Sequence, residues 1–267
     1  MPRYDFRSPR LYIDAPIIAG ALLPLEPSQA HYLADVLRLK AGDGVLVFNG
    51  RDGEWRAALA MPSKKKFALE VEERTREQTA PGDLHYLFAP LKRARLDYMV
   101  QKAVEMGVSK LAPVITRHTN AERVNVERMR ANAIEAAEQC GILTLPEIAA
   151  LVPFARALAE MAPERTLVFC DEDAALQSAL EALAPRSGRE ARDSTRESLE
   201  RSPETGGKAL EIALIIGPEG GFSDDERAVL TARPNTVRIS LGPRILRADT
   251  AAVAALALVQ SVLGDWR

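Results

Sequence analysis

Two glycine-containing stretches near the C-terminal end carry most of the chemistry that residue types can suggest. The first is Ile215-Ile216-Gly217-Pro218-Glu219-Gly220-Gly221-Phe222-Ser223-Asp224-Asp225-Glu226. It reads as a strand running into a glycine turn and then into a helix. Ser223 with Glu226 three residues later has the form of a capping box. The glycines let the backbone approach a ligand closely. The second is Ile239-Ser240-Leu241-Gly242-Pro243-Arg244-Ile245-Leu246-Arg247-Ala248-Asp249-Thr250, which has the same strand–turn–helix pattern. Leu241, Ile245 and Leu246 are apolar residues in a loop, and they call for a flat apolar surface such as an adenine. Loops at the carboxyl ends of parallel strands are where open α/β sheets bind ligands. On residue types alone, two ordinary turns packed on a neighbouring helix fit equally well, because a short glycine loop is weak evidence. Neither stretch has the Gly-x-x-x-x-Gly-Lys-Ser/Thr or the Gly-x-Gly-x-x-Gly spacing, which disfavours a nucleoside triphosphate or a dinucleotide.

The elements that would position these turns show a change of period. Residues 1–75 read as short strands and turns: a strand over Arg10–Asp14, one short helix over His31–Leu37, strands over Val45–Asn49 and Glu54–Met61 about a Gly50–Gly53 hairpin, and an alternating strand over Phe67–Val71. Closely spaced short strands suggest a small barrel. Residues 76–83, with Pro81-Gly82, read as a linker. From residue 84 strands and helices alternate. Strands are expected at Leu84–Ala89, Leu111–Ile115, Thr166–Cys170, Ile212–Ile216 and Val237–Ser240. Helices are expected at Leu96–Gly107, Val126–Cys140, Ala174–Leu183, Ser223–Ala232 and Thr250–Leu263. That rhythm implies a mostly parallel sheet. Residues 185–208 break it with a polar, charged run that cannot bury enough apolar area to offset its ordering, and they read as a mobile surface insertion.

Composition narrows the class. The 267 residues are 47% hydrophobic and 27% charged, with a formal net charge of −2. This suits a globular protein of one large domain or two smaller ones. The near-neutral total argues mildly against nucleic acid. A local basic face remains open: Lys64-Lys65-Lys66 form one run, and Lys92, Arg93 and Arg95 cluster in one loop. Arg38 ends the N-terminal helix, and Arg117 with His118 follows a strand's carboxyl end. The longest apolar run, Ala251–Val259, is too short to span a bilayer, and no apolar stretch follows the three N-terminal arginines. Cys140 and Cys170 cannot make a disulfide framework or a zinc site by themselves, so the expectation is reduced thiols, no metal and a cytoplasmic location.

The paired motifs Gly217-Pro218-Glu219-Gly220-Gly221 and Leu241-Gly242-Pro243-Arg244-Ile245-Leu246-Arg247 resemble those of the RsmE family of SPOUT methyltransferases. Gln101-Lys102-Ala103-Val104-Glu105-Met106-Gly107 and Glu135-Ala136-Ala137-Glu138-Gln139-Cys140 with Pro146-Glu147-Ile148 resemble its first two helices. Ser8-Pro9-Arg10-Leu11-Tyr12 and His31–Arg38 resemble its N-terminal domain, so the resemblance covers nearly all of the chain outside 185–208. It implies an α/β fold: an N-terminal PUA-like small β-barrel used for RNA (1–75), and a C-terminal SPOUT α/β domain (76–267) with a mostly parallel sheet and a C-terminal trefoil knot. It implies a homodimer, with the apolar final helix either a dimer surface or part of its own core. It also implies methylation of N3 of a uridine in 16S ribosomal RNA, on the small ribosomal subunit, with S-adenosylmethionine as donor and S-adenosylhomocysteine as product.

Under that resemblance the cofactor would be held by Ile216, Gly217, Pro218, Glu219, Gly220, Gly221, Leu241, Gly242, Ile245 and Leu246. Uracil N3 carries a proton that must leave, and negative charge develops on the carbonyls, which a guanidinium suits. Arg247 is the first catalytic candidate, with Asp249 beside it and Arg10 reaching for the uridine or a phosphate. Arg10, Arg38, Lys65, Lys92, Arg93 and Arg117 are the expected RNA contacts. Asp249 stands where the family usually has glutamate, which shortens its reach and puts a general-base role in doubt; with Thr250 it reads equally well as a helix cap. Met129 replaces a frequent tryptophan, and Ile142 a frequent basic residue. Competing readings are a SPOUT enzyme with another target such as transfer RNA ribose, a knotted RNA-binding module without catalysis, and a nucleotide-dependent α/β enzyme.

Overall fold

A computed structural model describes residues 5, 7–63, 66–121, 123–174, 178–184 and 211–266. Lys65 and the expected insertion at 185–208 lie outside the described residues. The chain forms two compact units, one of Met1–Ala80 with Ile134–Leu145, the other of Pro81–Ala133 with Pro146–Arg267. The segment Ile134–Leu145 thus belongs to the same unit as the N-terminal residues.

The first unit contains β1 (Arg10–Tyr12), β2 (Leu22–Pro24), α1 (Pro27–His31), β3 (Gly44–Phe48), β4 (Glu54–Ser63) and β5 (Lys66–Arg76). They form one sheet in the order β1-β3-β4-β5-β2, with β1 parallel to β3 and the other pairs antiparallel. The β3–β4 hairpin is closed by Asn49, whose Oδ1 accepts the N–H groups of Arg51 and Asp52, both at 2.9 Å. That is the local hydrogen bonding that makes Asn a turn residue. Leu11, Val45, Val47, Ala57, Leu59, Leu69 and Val71 share one core, alternating along their strands with residues of the other face. β2 escaped the sequence reading because three residues carry no period. The helix expected over His31–Leu37 begins earlier, at Pro27, whose ring presets the helical φ at a first turn. It continues as a single π turn, Tyr32–Val36, and stops at Arg38, which has a φ of 58°.

The second unit contains β6 (Leu84–Phe88), α2 (Arg93–Glu105), β7 (Lys110–Ile115), the first half of α3 (Val126–Cys140, which passes into the first unit at Ile134), β8 (Glu147–Ile148), β9 (Val152–Pro153), α4 (Phe154–Ala159), β10 (Thr166–Cys170), α5 (Ala179–Leu183), β11 (Ile212–Ile216), α6 (Asp224–Ala232), β12 (Thr236–Ile239) and α7 (Ala248–Val262). The strands run β12-β10-β11-β6-β7-β8, with β9 beside β7, and every pairing is parallel. A parallel sheet is covered on both faces, so its central strands are apolar throughout rather than alternating. β11 (Ile-Ala-Leu-Ile-Ile) is buried at every position. Leu167, Phe169, Ala213 and Ile215 pack with Phe154 and Leu158 of α4 and Leu230 of α6. The intervening residues face the other way, where α7 packs on β11 and α2 packs on α7. Ala251, Ala252, Ala255, Leu256 and Val259 of α7 are buried there, so this face of the final helix serves its own core. The short β8, β9 and α4 have no periodic signal in the sequence, and α5 starts after an N-cap at Ser178; of the helix expected over Ala174–Leu183, residues 175–177 lie outside the described residues. Among the described residues no helix is long and apolar enough to cross a membrane.

Candidate active site

The sheet order decides what can meet. β10 lies between β11 and β12, so the two glycine turns leave the carboxyl edge on either side of the end of β10. After β11, the turn is closed by the Gly221 N–H donating to the Pro218 carbonyl at 2.9 Å. At Gly217 a Cβ would stand 2.9 Å from the Phe222 ring. That ring is buried edge-on against Phe169, 5.4 Å between centroids, and lies 5.9 Å from Phe154. Gly221 has a φ of 67°, and the Glu172 carboxylate fills the place of any side chain there. The expected capping box is present: Ser223 Oγ accepts the Glu226 N–H at 3.3 Å and Glu226 Oε2 accepts the Ser223 N–H at 2.9 Å.

The loop that follows β7 is stitched to this turn. The Arg117 N–H donates to Glu226 Oε1 at 2.8 Å. His118 Nδ1 lies 3.0 Å from the Gly220 carbonyl and 3.2 Å from that of Gly221. Carbonyls only accept, so Nδ1 carries the proton. Arg95 and Glu219 approach to 3.4 Å, but both are well exposed and such pairs contribute little.

The turn after β12 is open. Gly242 has a φ of 97° and free space where a Cβ would be. Leu241 and Leu246 are half-buried, and Ile245 is 101% exposed. Arg247 is the N-cap of α7 and is exposed, and among the described residues its guanidinium has no partner. Asp249 is half-buried and accepts the Thr250 N–H at 3.0 Å; it is the second residue of α7, and the N-cap is Arg247, so the pair expected to cap the helix lies inside its first turn. Burial pushes the hydroxyl of the fully enclosed Tyr86 well above its usual range, and charge at Cys170 and Asp249 pushes the same way.

Between the turns stands a residue that sequence reasoning missed. Asp171, at the end of β10, is 2% exposed. Its Oδ2 accepts from Arg238 Nε at 2.7 Å, and its Oδ1 lies 2.6 Å from Arg227 Nη2. One carboxylate therefore joins β10, β12 and α6 directly beneath the site. The only signal was a run of acids, Asp171-Glu172-Asp173, at a strand's carboxyl end, with no means of pairing it to arginines more than fifty residues away.

Of the expected RNA contacts, Lys92 and Arg93 are exposed at the start of α2 and Arg117 is exposed after β7. They follow the carboxyl ends of β6 and β7, on the same edge as the turns, because all these strands are parallel. Arg38, in the first unit, is exposed. Arg10 is turned inward. It is 8% exposed, and its Nε donates to Glu54 Oε2 at 2.9 Å. Arg76 donates to the same carboxylate from Nε, at 2.9 Å, and from Nη2, at 2.6 Å. Burial works to raise the Glu54 pKa, but the hydrogen bonds from Arg76 and Arg10 outweigh it and hold the carboxyl below its usual range. Freeing Arg10 to meet a uridine would leave the buried Glu54 with one partner fewer. Met129, the replacement for a frequent tryptophan, is buried. Among the described residues no group of His, Cys, Asp or Glu is arranged to hold a metal ion.

A parallel α/β domain with two glycine turns flanking one strand end, and a basic margin on the same edge, makes the carboxyl edge of its sheet the candidate ligand-binding site. Residues 78–260 match the model of the RNA methyltransferase domain, and residues 25–72 that of the RNA methyltransferase PUA domain. The chain belongs to this RNA methyltransferase family. It is 31% identical over 252 residues to a ribosomal RNA small subunit methyltransferase E of Rickettsia conorii, covering 94% of each chain. A solved ribosomal RNA small subunit methyltransferase E of Neisseria gonorrhoeae, bound to S-adenosylmethionine, superposes with a TM-score of 0.78 at 25% identity, covering 98% of this chain and 100% of that one. A Legionella pneumophila protein in complex with its bound cofactor SAM gives 0.77 at 27% identity, covering 96% and 98%.

Proposed function

We propose that this protein methylates N3 of a uridine in the 16S RNA of the small ribosomal subunit, with S-adenosylmethionine as methyl donor. The observation that carries the reading is the pairing of Gly217–Gly221 and Leu241–Arg247 about the end of β10. The residues suit this cofactor. Gly217, Gly220 and Gly221 keep side chains off one turn, Gly242 faces open space, and Leu241, Ile245 and Leu246 supply apolar surface for an adenine. The bound cofactor would supply an electrophilic methyl group on a sulfonium. Positioning and charge stabilisation fall to the protein. Arg247, exposed at the start of α7 and without a partner among the described residues, is the group to meet negative charge developing on the uracil carbonyls. Asp249, one residue into that helix, would orient it. Lys92, Arg93 and Arg117 would hold phosphates, which fix register without reading sequence. The C-terminal knot, a homodimer, a small-subunit particle as substrate and a cytoplasmic location belong to the same proposal, through the family.

The test is methyl transfer from labelled S-adenosylmethionine to small subunits from a strain lacking this enzyme, with nucleoside analysis of the RNA. N3-methyluridine at one position is the expected product. A methylated ribose would mean another target chemistry, and bound cofactor with no transfer would mean an RNA-binding module.

A further inference from the structure

We propose that His118 is a positioning residue of the cofactor turn, acting through Nδ1 and not through the outward edge of its ring; this rests on the reading that Gly217–Gly221 holds the cofactor. The geometry is specific. One ring N–H faces two successive peptide carbonyls, Gly220 at 3.0 Å and Gly221 at 3.2 Å. These are the peptides whose direction is least determined by the chain itself, because Gly220 has no side chain and Gly221 sits at a φ of 67°. A Cβ on Gly220 would lie 3.3 Å from the His118 Cβ, so the two backbones pass close together here. The neighbouring Arg117 N–H is tied to Glu226, the acid of the capping box just beyond the turn. The loop after β7 and the cofactor turn are therefore fastened at both ends of Gly220–Glu226.

The role is positional rather than one of stability. His118 is exposed, so its removal takes little apolar area out of the core and leaves no buried group unsatisfied. What it restrains is a glycine turn that would otherwise sample several conformations before a ligand could bind. A restraint of that kind shows in affinity, as loss of pre-organisation.

The experiment is calorimetric titration of the full chain with S-adenosylmethionine, beside kcat and KM for the cofactor. His118→Ala is expected to weaken binding by roughly tenfold, with kcat at saturating cofactor within about threefold and the melting temperature nearly unchanged. His118→Asn places an amide N–H where Nδ1 stands and is expected to restore affinity. His118→Gln places its amide where Nε2 stands and is expected not to. Failure of the wild-type chain to bind S-adenosylmethionine would refute the reading of the site. With wild-type binding intact, equal affinity in His118→Ala, or rescue by Gln in place of Asn, would overturn the role given to Nδ1.

Discussion

The turn after β11 is held by protein on every side: Phe222 is locked beneath it, Glu172 and His118 close on its glycines, and Ser223 and Glu226 fasten its exit. The turn after β12 has almost none of this. Ile245 stands wholly in solvent, Gly242 faces open space, and Arg247 has no partner among the described residues. Both leave the same sheet edge, and both have a glycine, a proline and apolar residues. The difference teaches where ordering comes from. One turn is organised on folding, by contacts already made. The other keeps apolar and cationic groups unsatisfied, and an unsatisfied surface of this kind is what a ligand completes.

Substitutions can break this contrast at several strengths. Phe222→Ala, in the organised turn, should cost about 3–5 kcal/mol of stability by leaving a cavity against Phe169 and Phe154; urea unfolding measures it, and a change below about 1 kcal/mol would show that the ring does not anchor the turn. Arg247→Ala, in the open turn, should leave stability intact and lower kcat by roughly 10²–10³-fold, the size lost when one preorganised donor to a developing charge is removed. Turnover near wild type would end that assignment. Arg10→Ala should do the reverse, costing about 2–3 kcal/mol by leaving Glu54 buried with one arginine fewer. A catalytic loss without a stability loss would place Arg10 at the uridine.

A third carboxylate sharpens the comparison through pH. Glu54 and Asp171 are each paired with two arginines. Glu138 accepts the Tyr12 N–H at 2.8 Å, and burial, with Glu135 nearby, raises its pKa to about 7. A carboxyl with a raised folded-state pKa binds protons more readily folded than unfolded, so its contribution is favourable at low pH. It is lost as pH climbs from the unfolded value of 4.5 through about 7. Glu138→Gln should therefore stabilise the protein at pH 8 relative to wild type and flatten its stability between pH 5 and 8. An unchanged slope in thermal melts over that range would show that Glu138 does not titrate there. The smallest effect belongs to the open turn: Ile245→Ala should weaken S-adenosylmethionine binding by about 5–10-fold, from lost apolar contact, while shifting stability by less than about 0.5 kcal/mol. Equal affinity would place the adenine elsewhere.

Long periodic elements were legible from residue order alone. The five apolar residues of β11 and the Ser223–Glu226 box could each be read from a dozen residues, because the interactions that make them are local. So could both turns, and with them the family. Two-residue strands such as β8 and β9 could not, since they exist only because β7 offers an edge.

The sequence by itself determined the kinds of group available: glycines that admit a ligand, an arginine at the start of a helix, acids at a strand end. Only the tertiary structure decided which of them meet. It placed β10 between β11 and β12 and so made two turns one site. It paired Asp171 with Arg227 and Arg238, set His118 on Gly220, and buried Arg10 against Glu54. The physical reason is range. Helix caps, turns and periodicity are fixed by neighbours within a few residues. The partner of a charge or a ring nitrogen is fixed by which strands lie side by side, and that follows from burying the whole core at once.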